Sequence, residues 1–214
     1  MSNDRADTTP LPLLFCLCAP AGSGKSTVCA QVVANDPQLR RSISTTTRQP
    51  RPGEIDGQHY FFVTKDEFEQ RRAAGRFVEH AQFGQESYGT ETLNVECARE
   101  SRQDLMLAID VQGVKRLKEL FPRQTVTVFL FPPSFAILEQ RLRSRATENE
   151  QALVERLEIA RREIEILRDR TFSDYLVIND TIPFAVDSVR SIVVAERLRL
   201  DRLSDTDLDE RFRS

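Results

Sequence analysis

Leu13-Leu14-Phe15-Cys16-Leu17-Cys18 is an apolar run that passes directly into Ala19-Pro20-Ala21-Gly22-Ser23-Gly24-Lys25-Ser26-Thr27. A run of this length without polar alternation suits a strand buried on both faces, as parallel strands are. The stretch Val28–Ala34 has helical character and stops before Pro37. Strand, glycine loop and helix in that order open an α/β fold. Residues Ala19 to Ser26 also meet the pattern [A/G]-x-x-x-x-G-K-[S/T]. In such a loop the backbone N–H groups cradle phosphates and the helix N-terminus adds a favourable dipole. The Lys25 ammonium reaches the terminal phosphates and the Ser26 hydroxyl can take Mg²⁺. Ala19 stands where the strict form has Gly, so the first turn must be made without a positive φ. An ordinary strand-to-helix turn is the plain alternative, but the flanking elements favour phosphate. The pattern specifies a ligand class and leaves the reaction open.

With 214 residues the chain is one generous domain or two small ones. It is 40% hydrophobic and 29% charged, an ordinary globular balance that argues against wholesale disorder. A net charge of −3 excludes a generally basic nucleic-acid coat and leaves room for a local basic pocket. Only Lys25, Lys65, Lys115 and Lys118 are lysines among the 30 basic residues, so 26 are arginine, the better bidentate grip on phosphate. No run approaches the ~20 apolar residues that span a bilayer. The stretch Leu11–Ala21 carries Pro12 and Pro20 and follows Asp4, Arg5 and Asp7, which argues against a signal peptide. Cys16, Cys18, Cys29 and Cys97 form no CxxC, and there are two histidines, so zinc spacing and a disulfide framework are not expected. The expectation is a reduced, cytoplasmic protein with no membrane or nucleic-acid partner, and assembly as a homo-oligomer stays open.

Residues 1–10 read as a polar, flexible arm and 206–214 as a charged tail around one domain at 11–205. Strands are predicted at Tyr60–Val63, Phe77–Phe83, Leu105–Asp110, Val126–Phe131 and Tyr175–Ile178. Thr64-Lys65-Asp66-Glu67 matches a capping box for a helix closing near Gly75. Ser134–Arg168 reads as two helices broken around Ala146-Thr147, and the last helix as running from about Pro183 to Arg199. The core comprises 11–40, 101–140 and 166–200, with inserted segments at 41–100 and 141–165.

Ser42-Ile43-Ser44-Thr45-Thr46-Thr47-Arg48-Gln49-Pro50-Arg51-Pro52-Gly53-Glu54 places two arginines three apart between prolines, followed by Tyr60. Two guanidinia and a phenol on one spot would make a second phosphate site, such as one for a terminal monoester. On the residues alone, a solvated loop with incidental arginines fits equally well.

That segment, with Gly57 and Tyr60, resembles the S-x-S-x-T-T-R-x-P-R-x-G-E-x-x-G-x-x-Y signature of guanylate kinases. The resemblance runs from about Leu13 to Leu200. It takes in Phe83-Gly84, Tyr88-Gly89-Thr90, Ile109-Asp110-Val111-Gln112-Gly113, Phe131-Pro132-Pro133-Ser134, Arg141-Leu142-Arg143-Ser144-Arg145, Val177-Ile178-Asn179-Asp180 and Ala195-Glu196-Arg197-Leu198-Arg199. It implies a P-loop nucleoside monophosphate kinase fold, a parallel sheet flanked by helices. Segment 41–100 would be a GMP-binding insert and 141–165 a lid. The implied reaction is transfer of the ATP γ-phosphate to GMP, and to dGMP, with Mg²⁺ held through Ser26.

By the resemblance, Ala19 to Thr27 and Asn179 would bind ATP. Arg48, Arg51, Tyr60 and Tyr88 would hold the GMP phosphate, with Ser44, Glu79, Thr90 and Asp110 around the nucleotide. Glu79 would accept from guanine N1–H and N2–H₂, a donor pair that adenine lacks. Read without the resemblance, Glu79 is a strand-edge surface charge. Arg141 and Arg145 are i, i+4 and share a helix face, and Arg156 lies in the following helix. The three match lid arginines that would close on the transferring phosphoryl group, alongside the catalytic Lys25 and Asp110. Arg143, Arg161 and Arg162 read as charged surface, and Cys16, Cys18 and Cys29 as core. Three departures stand out: Ala108 where the family has the first acid of Asp-x-Asp, and Ser144 and Ala146 where it has lid glycines. A catalytically impaired binding module, or a P-loop kinase of another small phosphorylated substrate, are the rival functions.

Overall fold

The computed structural model of the chain describes residues 12–144 and 150–202, with the single positions Asp209 and Phe212. The predicted arm, nearly all of the charged tail, the break at Ala146-Thr147 and Arg145 lie outside the described residues.

The apolar run after Leu13 forms β1 (Leu14–Cys18), every residue of it buried. The chain continues through α1 (Lys25–Ala34) and β2 (Leu39–Arg41). A second set of strands follows: β3 (Thr45–Thr46), β4 (Phe61–Phe62), then α2 (Lys65–Ala73), β5 (Phe77–Phe83) and β6 (Glu86–Glu91). The rest is α3 (Thr92–Ser101), β7 (Asp104–Ala108), α4 (Val111–Leu120), β8 (Thr125–Phe131), α5 (Phe135–Arg143), α6 (Glu150–Ile166), β9 (Tyr175–Ile178) and α7 (Ile182–Arg197), with a 3₁₀ turn at Leu200–Arg202.

The main sheet has the order β2-β7-β1-β8-β9, and every pair is parallel. From β1 the chain leaves through α1 toward β2, whereas β7 leaves through α4 and crosses to β8 on the other side of β1. That reversal opens a crevice at the carboxyl ends of β1 and β7, the usual ligand position of an open parallel sheet. One face packs on α1 and α7 through Phe15, Leu17, Val28, Val32, Val189 and Val193. The other packs on α3 and α4 through Cys16, Leu105, Leu107, Val114, Leu117 and Phe129. A smaller cluster of Leu138, Leu142, Leu153, Leu157 and Ala160 joins α5 to α6.

Residues 45–91 build the second sheet, ordered β4-β3-β6-β5 and mixed in direction. The predicted strand at Tyr60–Val63 shrinks to Phe61–Phe62, because Tyr60 makes only an isolated bridge to Asp56. Thr64 and Glu67 complete the predicted capping box of α2.

Local chemistry places the helix ends. α1 begins at Lys25, three residues earlier than read, since Gly24 at φ +86° ends the loop without a side-chain cap. The Asp110 side chain caps α4, and Thr181 caps α7 with Pro183 in its first turn. Arg197 closes α7 on Asp36 and Asp104, each at 2.7 Å. The Glu196 carboxylate, 2% exposed, takes Tyr175 and Arg202. Both residues lie within the Ala195–Arg199 segment and act there as structural clamps.

Candidate active site

Two segments carry the residues expected to bind phosphate. The first is the loop between β1 and α1. Gly22 and Gly24 take φ +87° and +86°, a region closed to most side chains. Ala19 is buried at the strand exit and has no positive φ, so the residue that departs from Gly carries no strain. Asn179, buried just beyond β9, donates from Nδ2 to the Ser23 carbonyl at 2.7 Å. A Cβ on Gly24 would lie 2.6 Å from that same Nδ2. Lys25 donates from Nζ to the Ile109 carbonyl at 3.1 Å, which holds the ammonium over the end of β7. Ser26 and Thr27 are exposed on the first turn of α1. The Ser23 hydroxyl and Asn179 Oδ1 are buried without a hydrogen-bond partner.

The second cradle is built by residues 41–100. Arg48 donates to Glu54 Oε1 at 2.9 Å and to the Gln49 carbonyl at 2.7 Å. Its guanidinium lies 5.4 Å from the Tyr60 ring centre, and the Tyr60 and Tyr88 rings meet edge to face at 6.0 Å. The other oxygen of Glu54 accepts from the Arg51 backbone at 2.8 Å. Sequence reasoning missed Glu54: one carboxylate ties the Arg48 side chain to the Arg51 backbone across the proline-rich loop. Despite a desolvation that works the other way, Arg51 and Arg48 hold the Glu54 carboxyl below its ordinary value. The Arg51 side chain is exposed and that of Ser44 half-buried, while the Ser44 carbonyl pairs with Phe61.

Two acids, Glu79 and Asp110, lie close enough to act on each other and on Lys25. Glu79 on β5 is only 6% exposed, so the surface-charge reading fails. Burial pushes its carboxyl up to about 7, with the Asp110 charge adding to the rise. The fully buried Thr90 hydroxyl, which lacks a regular hydrogen-bond partner, pulls the other way. Gly113 makes the close approach possible, since a Cβ there would fall 2.7 Å from Glu79 Oε2. The strand before Asp110 ends at Ala108, so Asp110 is a helix cap that accepts from the Gly113 N–H at 2.7 Å.

The segment 141–165 contributes two of its three expected arginines to the described residues. Arg141 spans the carbonyls of Asn179 and Asp180, each at 3.2 Å, beside the first cradle. Arg156 is half-buried on α6. Arg143 pairs with Glu139 and Glu150 at the surface, and Arg161 lies 5.0 Å from the Phe135 ring. Sequence reasoning also missed Glu163 on α6, whose carboxyl burial pushes up to about 7 against the pull of Lys25.

The family model described as guanylate kinase matches residues 13–196. The chain belongs to the guanylate kinase family. It is 43% identical over 190 residues to the guanylate kinase of Desulfitobacterium hafniense (strain Y51), covering 89% of this chain and 93% of that one. It is 44% identical over 192 residues to that of Oceanobacillus iheyensis, covering 90% and 91%. The crystal structure of guanylate kinase from Anaplasma phagocytophilum superposes with a TM-score of 0.78 at 28% identity, over 94% and 95% of the two chains.

In this guanylate kinase family member the buried acids have distinct chemistry. In its ionised form Glu79 can accept two hydrogen bonds on one edge of a planar ligand, which is worth most where water is excluded and which favours loss of its proton when such a ligand binds. Cys18 next to them is no nucleophile: burial pushes its thiol up to about 12. Among the described residues no helix is long and apolar enough to cross a membrane.

Proposed function

We propose that the chain transfers the γ-phosphate of ATP to GMP, and to dGMP, giving ADP and GDP or dGDP. The observation that carries this reading is the buried carboxylate of Glu79 together with two separate cationic cradles. One cradle suits a polyphosphate, the other a monoester, and the carboxylate suits a base with two adjacent donors. Guanine has that edge and adenine does not. A ribose phosphate has hydroxyl donors but no rigid pair of adjacent N–H groups on one planar edge to match both oxygens of Glu79, which disfavours kinases of other small phosphorylated substrates.

In this reading Lys25 and the loop N–H groups, Ala19 through Thr27, hold the ATP phosphates, with Asn179 fixing the loop from behind. Arg48, Arg51, Tyr60 and Tyr88 grip the GMP phosphate, and Ser44, Glu79, Thr90 and Asp110 line the base site. Arg141 and Arg156, with Arg145, bring positive charge to the transferring group, where charge spreads as the bond to the leaving oxygen breaks. The acceptor is the GMP phosphate itself, so no covalent enzyme intermediate is needed, and positioning with electrostatics is the mechanism.

Magnesium fits the donor set. Ser26, exposed on the first turn of α1, offers a hydroxyl, and Asp110 at the cap of α4 offers a carboxylate oxygen. Oxygen donors of this kind suit a hard cation. Among the described residues no three His, Cys, Asp or Glu could hold a metal by themselves, so its remaining ligands would be phosphates and water. When bound, the ion would neutralise charge on the terminal phosphates. The free thiols Cys16, Cys18, Cys29 and Cys97 suit a reducing cytoplasm, where both nucleotides are present.

Release of ADP from Mg-ATP in a coupled assay, with GMP, dGMP, AMP, CMP and UMP as acceptors, tests the assignment. Fast turnover confined to GMP and dGMP is expected. No GMP-dependent ADP release would identify a binding module, and equal rates with AMP would remove the role of Glu79.

A further inference from the structure

Helix α6 carries Arg156, Ala160 and Glu163 at i, i+4 and i+7, which puts them on one face. That face points inward, because Leu153, Leu157 and Ala160 on it are buried against α5. Glu163 therefore departs from its neighbours Arg161 and Arg162, which are exposed. Its Oε2 is buried and has no hydrogen-bond partner. The groups that act on it electrostatically are Lys25 at the phosphate loop and Asp110 at the cap of α4, and it acts in turn on the Cys18 thiol at the end of β1. The acid thus belongs to the phosphate end of the crevice and approaches it from the α4 side of the sheet.

A buried carboxylate oxygen without a donor is costly and is retained where something supplies one. The Lys25 ammonium donates to the Ile109 carbonyl and makes no hydrogen bond to this oxygen, and the Asp110 side chain is itself an acceptor, taking the Gly113 N–H. Nucleotide phosphates at neutral pH bring acceptors only. A magnesium ion brings donors, because it dehydrates reluctantly and keeps several waters, each with two O–H groups. We propose that Glu163 is a positioning residue for the metal-nucleotide, accepting a hydrogen bond from the water shell of the magnesium ion and fixing that shell relative to Ser26 and Lys25. The inference rests on the Mg-ATP site assigned above. It also ties the metal to the helix that follows segment 141–149, so the seating of α6 and the seating of the ion are coupled through one side chain. Glu163 is no stand-in for the acid missing at Ala108. The Ala108 methyl packs with the α1–α7 core on the opposite face of the sheet.

The test uses the full chain, Mn²⁺ as a paramagnetic probe and a non-hydrolysable ATP analogue. Mn²⁺ affinity in the ternary complex is read by water-proton relaxation, for the parent, Glu163→Gln and Glu163→Asp. The glutamine variant should bind Mn²⁺ about tenfold more weakly, the loss expected for one charge-assisted hydrogen bond, while its metal-free affinity for the analogue stays within about twofold. The aspartate variant, which keeps the charge, should recover part of the loss. In steady state the apparent KM for Mg²⁺ should rise by the same factor. Equal Mn²⁺ affinity in parent and glutamine variant overturns the inference, as does an equal loss of analogue affinity without metal, which marks a merely structural role. Should the glutamine variant fail to fold, the aspartate variant alone decides, by weaker or unchanged Mn²⁺ binding. Because metal binding is read without turnover, an absence of GMP-dependent activity in the parent would strike the proposed function and leave this result standing.

Discussion

Replacing Glu79 by glutamine should make the nucleotide-free protein more stable at pH 8 and less stable at pH 5, while weakening GMP binding at both. In the folded chain burial holds the Glu79 carboxyl protonated up to about pH 7, whereas its ordinary value is 4.5. Between those values the native state binds more protons than the unfolded state, so this group's contribution is full below pH 4.5 and is lost as pH rises through about 7. At about 1.4 kcal/mol per pH unit, the interval of about 2.5 units amounts to ~3 kcal/mol of destabilisation at pH 8. Glutamine cannot ionise and escapes that loss. Its amide still needs donors and acceptors in a site built for a carboxyl, at a cost of roughly 1–2 kcal/mol. The net change is therefore a gain of about 1–2 kcal/mol at pH 8 and a loss of similar size at pH 5. Urea unfolding of both proteins at pH 5, 6, 7 and 8, without nucleotide, measures the two curves. They should cross, and parallel curves would refute the claim that this carboxyl is buried and protonated. In the same variant the KM for GMP should rise about a hundredfold or more, since an amide offers one acceptor where a carboxylate accepted from two donors.

Lys25→Ala should lower kcat at least about a hundredfold with a little-changed melting temperature, since the half-buried side chain makes one hydrogen bond, and unchanged kcat would sink the phosphate-loop assignment. Gly24→Ala should lose ATP affinity and about 1–3 kcal/mol of stability, because the new Cβ combines a positive φ with a 2.6 Å clash on Asn179; wild-type melting and KM would contradict the loop geometry. Arg48→Ala and Arg51→Ala should raise the KM for GMP far more than that for ATP, and Arg48→Ala should do the greater damage because Glu54 loses its ion pair. A larger effect on ATP in both variants would mean that the two cradles are reversed.

The parts of the molecule that could be read from the chain are those with local causes. An unbroken apolar run is enough to bury β1 on both faces, and the glycines after it report their own positive φ values. Thr64 and Glu67 cap α2 with no help from distant residues. β6 escaped notice for the opposite reason. Glu86–Glu91 is too polar to look like a strand and is held in place by β3 and β5 on either side. The same reason hid the acids. Glu79 looks like a surface charge until Gly113, from another segment, lets it approach α4, and Glu163 looks like one of many charges on a helix rich in Glu and Arg until α6 is packed. Glu54 stood within the arginine segment, but its two hydrogen bonds depend on the fold of the loop between the prolines.

The most direct measurement follows the phosphoryl group itself. The protein is incubated with γ-³²P-labelled Mg-ATP and GMP, and the products are separated. The account predicts that label leaves ATP only when GMP is present and appears in GDP in equal amount to the ADP formed. Label released as inorganic phosphate, or retained in ATP despite bound GMP, would contradict it.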